Sequence, residues 1–236
     1  MTTSGTYIIA VTGMLAEARV AERAEGVKAI AGGGDSARLA DQLNRAINSN
    51  VRGLISFGIA GGLAPDAKPG DVVIATAFVA GTQTHPTDAA WSQRIALCLP
   101  NARMALIAGA DVAVASALAK ADLYRATGAI AVDMESHIAA RIALSHGLPF
   151  AVLRVVADHA SRGLPPAALA GLGAGGAINI AGVLKSLARH PTQLPQLLRV
   201  SADTNTAMKA LLRSLRTVQS ALGDGLGARL GGTDLR

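Results

Sequence analysis

Aromatic residues are scarce in this chain: one Trp, two Tyr and three Phe among 236 residues. Proteins that read single-stranded nucleic acid stack bases on aromatic rings, and so few scattered rings offer no such platform. No nucleic-acid partner is expected. There is one cysteine, Cys98, inside the apolar run IALCLP. A single thiol excludes a disulfide framework and a cysteine-based metal centre within the chain, and reads as a small core residue. His85, His137, His146 and His159 are scattered without metal-ligand spacing, so no metal is expected. Gly32 to Gly34 does not satisfy GxGxxG, and no GxxxxGK[ST] run occurs, which excludes dinucleotide redox enzymes and P-loop hydrolases. No apolar stretch reaches bilayer-spanning length, and the N-terminus lacks a basic region followed by an apolar core. The expectation is a cytoplasmic protein.

Charge is also sparse. Only 16% of residues are charged and 50% are hydrophobic, the profile of a compact α/β protein rather than a disordered one. The length suffices for one substantial core. Short apolar runs predict strands at 6–12, 27–31, 53–58, 71–80, 103–109, 129–134 and 149–157. Helices are predicted over 15–25, 36–49, 89–99, 116–127 and 136–146. Such alternation indicates a mixed, largely parallel central sheet covered by helices on both faces.

After Ala160 the character changes. SRGLPPAALAGLGAGGA (161–177) is rich in Pro, Gly and Ala and reads as a loop or hinge. Three helices are predicted beyond it, over 178–189, within 193–199 and over 203–222, followed by a frayed tail from Gly223. The division expected is an α/β domain over 1–182 and a basic helical extension over 183–236, packed on or beside it. That extension carries eight basic residues against three acidic ones, five of the six net positive charges. The asymmetry points to an anionic partner surface, a membrane before a nucleic acid, with a solvated appendage or an oligomer contact as the alternatives.

The densest chemical signal lies in 130–160, IAVDMESHIAARIALSHGLPFAVLRVVADHA. A buried strand runs into Asp133 and Glu135, a helix follows, and a second strand ends at Asp158. Strand alternation places Arg154, Val156 and Asp158 on one side. Carboxylates at the carboxyl ends of buried strands lie where α/β sheets bind ligands.

VDMES followed by PFAVLRVVADHA resembles the purine nucleoside phosphorylase and nucleosidase superfamily. GLISFGIAGGLAPDAKPGDVVIAT (53–76) is similar to its glycine-rich turn, and LIAGADVAVASALAKADLYRATGA (106–129) to the segment lining its base pocket. The resemblance covers roughly 7–160. It implies a three-layer αβα sandwich and cleavage of a purine N-glycosidic bond, with the proton supplied to N7 by Asp158. Glu135 would accept hydrogen bonds from the ribose hydroxyls, and Met134 would pack on the sugar. Asp133 stands where relatives often carry Glu, and Arg154 either orients a carboxylate or pairs with one structurally.

Departures from the family pattern bear on the pocket. Ile59 falls where relatives place Ser or Thr, and Ser56 where some phosphorylases bind phosphate with Arg. Ala113 and Val114 occupy the region of an aromatic stacking residue in adenine-specific relatives. A more apolar, less crowded pocket is expected. The N–H groups around Gly58, Gly61, Gly62 and Gly13 are candidates for holding an anion. Arg19 would favour phosphate as nucleophile and Glu17 an activated water, so phosphorolysis and hydrolysis stay open. No cofactor is expected beyond phosphate as co-substrate.

The segment LARHPTQLPQLLRVSADTNTAMKALLRSL (187–215) resembles the hopanoid-associated branch of this superfamily. That implies adenine release from the lipid-linked nucleoside adenosylhopane, with peripheral contact to an anionic membrane. A homo-oligomer is expected because relatives usually form one. The alternatives are a methylthioadenosine or adenosylhomocysteine nucleosidase, and a non-catalytic nucleoside-binding, membrane-associated protein.

Overall fold

The computed structural model describes residues 5–171 and 173–223. Eight strands and eight α-helices alternate among the described residues. β1 (Tyr7–Thr12), α1 (Leu15–Ala21), β2 (Val27–Ala31) and α2 (Ser36–Ala46) lead into the long β3 (Val51–Gly62). β4 (Val72–Ala80), β5 (Gln83–Pro86), α3 (Ala89–Cys98) and β6 (Arg103–Gly109) follow. Then come α4 (Ala117–Thr127), β7 (Ala131–Asp133), α5 (Ser136–Ser145) and β8 (Phe150–Asp158). The chain continues with α6 (Pro166–Ala170), α7 (Ile180–Arg189) and α8 (Leu194–Gly223).

The sheet is mixed and largely parallel. β3 pairs in parallel with β1 and β8, and β6 in parallel with β4 and β7, while β3–β7, β4–β5 and β4–β8 are antiparallel. Because β8 bridges β3 and β4, the strands β3, β7, β6, β4 and β8 close into a ring. β1 and β2 extend from β3, and β5 from β4. The ends of β3, β7 and β8 meet at one rim of that ring, with Gly61 paired to both Val132 and Asp158.

Period-two alternation divides the core between the two faces. Ile9, Val11, Val152 and Val156 pack with α2 and α5 through Leu39, Leu43, Ile138 and Ile142. Ile8, Ala10, Leu153 and Val155 pack with α1, α3 and α8 through Val20, Trp91, Ile95, Leu211 and Leu215. This is the helix–sheet–helix layering expected from the alternating pattern.

The C-terminal region differs in detail from its sequence reading. The helices expected within 193–199 and over 203–222 are one continuous helix, α8, and five residues of the expected loop form α6. Pro195 sits in the first turn of α8, where its missing N–H costs no intrahelical bond. The second half of α8 buries Ala207, Leu211, Leu215, Val218 and Leu222 in the same cluster as the strands. Each such Leu or Val contributes about 1.5–3 kcal/mol. Trp91 Nε1 also donates to the Ala221 carbonyl at 3.2 Å. The tail expected to fray from Gly223 lies, beyond that residue, outside the described residues.

Candidate active site

Arg154 organises the site. It sits on β8 with no solvent exposure, and its Nε lies 3.0 Å from Asp133 Oδ2 and its Nη2 3.2 Å from Glu135 Oε2. The Nε contact is ionic, without hydrogen-bond geometry. Nη2 also donates to Ser56 Oγ at 2.6 Å and Nη1 to the Ile59 carbonyl at 3.2 Å. A buried guanidinium is tolerable only when its fork is filled in this way.

Asp133 anchors the start of α5. Its Oδ1 accepts from the N–H groups of Glu135 (3.0 Å) and Ser136 (2.8 Å), and its Oδ2 from the Ser136 hydroxyl (2.5 Å). Arg154 also lies on Oδ2, so Asp133 holds Arg154 and the start of α5 in place while it borders the site cavity.

Glu17 occupies the third residue of α1 and is buried. Its Oε2 accepts from Gly13 N (2.8 Å) and Met14 N (2.7 Å), and its Oε1 from Ile59 N (2.7 Å). Desolvation pushes its carboxyl above the ordinary value, against the pull of Arg154 and those N–H groups. Gly58 makes the arrangement fit, since a Cβ there would meet Glu17 Oε1 at 2.6 Å and Arg154 Nη1 at 2.7 Å.

Asp158 ends β8 and is buried. Its Oδ1 accepts from Gly62 N at 3.0 Å. Its Oδ2 lies 2.5 Å from the ammonium of Lys120, a buried residue of α4 that the sequence reading passed over. Among Ala, Asp and Tyr, that lysine reads as part of a solvated helix face. Its burial comes from packing against the segment after β8, whose His159 and Arg162 carbonyls also accept from Nζ, each at 3.2 Å.

One cavity of about 470 Å³ joins these groups. Glu17, Glu135, Arg154 and Asp158 line its polar floor, with Met134, Gly13, Ile59 and Gly61 between them. Ala113 and Val114 line one wall, Leu164 and Leu169 another, and Leu197, Val200 and Thr204 of α8 close a third. Arg154 is the one basic side chain among the described residues lining it. Arg19 is exposed and outside it, so the structure does not bring Arg19 to the site. The glycine-rich turn also departs from expectation. Gly58 and Gly62 do not line the cavity, and the N–H groups of Gly13, Ile59 and Gly62 already serve Glu17 and Asp158. The chain's own carboxylates occupy the cradle read as an anion site.

Comparison with known proteins fits this geometry. Residues 3–170 match the family model described as the phosphorylase superfamily. The chain belongs to the phosphorylase superfamily. Among solved structures similar to this superfamily member is the futalosine hydrolase of Helicobacter pylori, with a TM-score of 0.65 and 16% identity, covering 91% of this chain and 97% of that one. The S-adenosylhomocysteine nucleosidase of Streptococcus pyogenes matches with a TM-score of 0.64 and 18% identity, covering 94% and 98%. A 5′-methylthioadenosine/S-adenosylhomocysteine nucleosidase of S. pneumoniae matches with a TM-score of 0.60 and 20% identity, covering 90% and 100%. At these identities the likeness is one of fold. No curated protein sequence matches significantly.

In this phosphorylase-superfamily site three carboxylates share one guanidinium. Burial first, then the negative charges of Asp133 and Glu17, outweigh Arg154 and raise Glu135 to about 7. The sign of the consequence follows from proton linkage: the folded state binds a proton that the unfolded state releases near an ordinary glutamate value of 4.5. The stability contributed by protonated Glu135 is therefore full below that value and lost as pH rises through about 7. Thermal unfolding followed from pH 5 to pH 8 is expected to show a falling midpoint, and Glu135→Gln to flatten that dependence.

Proposed function

We propose that this protein hydrolyses the N-glycosidic bond of a purine nucleoside bearing a large apolar 5′ substituent, with adenosylhopane as its substrate. The observation carrying hydrolysis is Glu17: a desolvated carboxylate facing the cavity beside Glu135 and Arg154, with no unpaired cation among the described lining residues to hold phosphate. Phosphate placed there would meet like charge, whereas water would meet a general base.

The chemistry needs three contributions. Departure of the purine leaves its electron pair on the base, so Asp158 protonates N7. Positive charge develops on the sugar, and ionised Glu135 gripping the ribose hydroxyls stabilises it more as that charge grows. Glu17 removes a proton from water as oxygen attacks the anomeric carbon. Met134 packs a soft, adaptable side chain on the sugar. Because Glu135 must be ionised, kcat/KM is expected to rise with pH through about 7, opposite to the stability trend.

Apolar walls support a lipid-linked substrate. Ala113 and Val114 leave room where a stacking ring would stand, and Ile178 and Val183 continue the apolar surface towards α7. That helix buries none of its residues. It exposes Ile180 (66%) and Leu184 (61%) next to the basic Lys185 and Arg189. An apolar stripe flanked by cations suits the interface of an anionic membrane.

The test uses adenosylhopane in phosphatidylglycerol vesicles, with and without phosphate, and quantifies free adenine and the released sugar. Adenine with hopane-linked ribose, independent of phosphate, is the expected result. Leu184→Asp is expected to slow the vesicle-borne substrate at least tenfold and leave a soluble 5′-alkylthioadenosine unchanged. A hopane-linked ribose 1-phosphate as product would overturn the hydrolytic reading. Efficient turnover of methylthioadenosine or adenosylhomocysteine, with none of adenosylhopane, would replace the substrate. Absence of any cleavage would leave a nucleoside-binding protein.

A further inference from the structure

The residue that protonates the base in the mechanism above is not alone. Asp158 Oδ2 lies 2.5 Å from Lys120 Nζ, and both side chains are almost wholly removed from solvent. The lysine has no competing carboxylate. Its remaining contacts are the carbonyls of His159 and Arg162, which hold it in place without accepting a proton permanently. Asp158 Oδ1 is fixed in turn by Gly62 N–H. The pair therefore holds one transferable proton between two fixed heavy atoms, at the end of β8 where the cavity begins.

We propose that Lys120 is the positioning residue and proton reservoir for the N7 protonation step carried out by Asp158. The inference rests on the proposed cleavage of a purine nucleoside and concerns only how its leaving group is protonated. As the C1′–N9 bond breaks, its electron pair passes into the purine. The ammonium of Lys120 passes one proton to the Asp158 carboxylate, which delivers it to N7, leaving a neutral amine beside an ionised Asp158. The water that attacks the sugar loses its proton to Glu17. That proton returns through solvent to Lys120 after product leaves, so charge and protons balance over the cycle.

The pairing solves a specific difficulty. A carboxylic acid standing alone gives up its proton several pH units below an ammonium, so it would be mostly discharged near neutrality. With an ammonium 2.5 Å away, the carboxylate has a proton donor in direct contact. Other charged groups surround the pair without replacing it. Arg162, Arg199 and Asp203 border the smaller cleft that Asp158 also lines, and Arg162 is paired with Asp203 at 3.2 Å. Glu17, Asp133, Glu135 and Arg154 face Asp158 from the larger cavity, where the arginine is committed to Asp133 and Glu135.

The test compares Lys120→Met, Lys120→Arg and wild type on 5′-butylthioadenosine and on the same nucleoside methylated at N7. The methylated purine leaves as a neutral base and needs no proton. Lys120→Met is expected to lose at least 100-fold in kcat/KM on the unmethylated nucleoside at pH 8 and less than threefold on the methylated one. The alkaline limb of the pH profile should move to lower pH for the unmethylated substrate only, and Lys120→Arg, whose guanidinium keeps its protons, should share the loss. The methylated substrate also reports whether each variant is folded. Equal losses on both substrates would make Lys120 a structural residue, and no loss on either would make it idle; each overturns the inference. A wild-type enzyme inactive on both nucleosides would instead overturn the proposed cleavage on which the inference stands.

Discussion

Glu17→Gln is expected to suppress hydrolysis by about 10²–10⁴-fold in kcat, the usual worth of a positioned general base. The substitution is nearly isosteric, yet it cannot satisfy the same partners. Glu17 accepts from Gly13, Met14 and Ile59 with both oxygens, whereas a glutamine amide turns a donor towards one set of N–H groups. Some loss of stability should accompany the kinetic loss. A second readout separates the two effects. Glu17 is one of the charges raising Glu135, so the acid limb of the residual pH profile should move to lower pH. Adenine release measured across pH checks both. Phosphate-dependent turnover surviving in this variant would show that water activation by Glu17 is not the route.

Arg154→Met should produce the largest loss of stability. It leaves Asp133 and Glu135 without their cation in a site closed to solvent, and removes the attraction that also restrains Glu17. Breaking one side of a buried ion pair costs about 3–5 kcal/mol, a large part of the roughly 5–15 kcal/mol that holds a domain folded. The variant should unfold at neutral pH and recover partly near pH 5, where the stranded carboxyls take up protons. Thermal unfolding at pH 5 and pH 8 measures this directly. A fall between the two values no larger than that of the wild type would mean that Arg154 is dispensable to the cluster.

Much of the fold could be read from the amino acids because two signals agreed. Continuous apolar runs along β1 and β8, buried on both faces, and the regular return of amphipathic helices both demand a sheet covered on two sides. Period-two strand alternation gave Arg154 and Asp158 their common side. A β-bulge around Ala157 then adjusts the pairing, so that Ala60 opposes Val156 while Gly61 opposes Asp158. VDMES was legible as a strand end opening a helix, but not how its two acids divide their work. That division depends on Arg154, nineteen residues downstream of Glu135.

What could not be read was set by contacts distant in sequence. Lys120 meets Asp158 across 38 positions and Glu17 meets Ile59 across 42. Neither pairing leaves a periodic trace. The glycine-rich turn misled for a related reason: its N–H groups suit an anion, and the anions they receive are supplied by the chain. The break expected between 199 and 203 is absent: Val200, Ser201 and Ala202 are helical, where α8 borders the cavity.

The two halves of α8 differ in what their side chains touch. Leu211, Leu215 and Val218 are wedged beneath the sheet, so exchange there is penalised by the whole fold. Leu197, Val200 and Thr204 merely border an opening, and the anchored half keeps the rod straight whatever they become. A lineage could reshape what enters the pocket by altering about two turns of helix, leaving the acids and the guanidinium untouched.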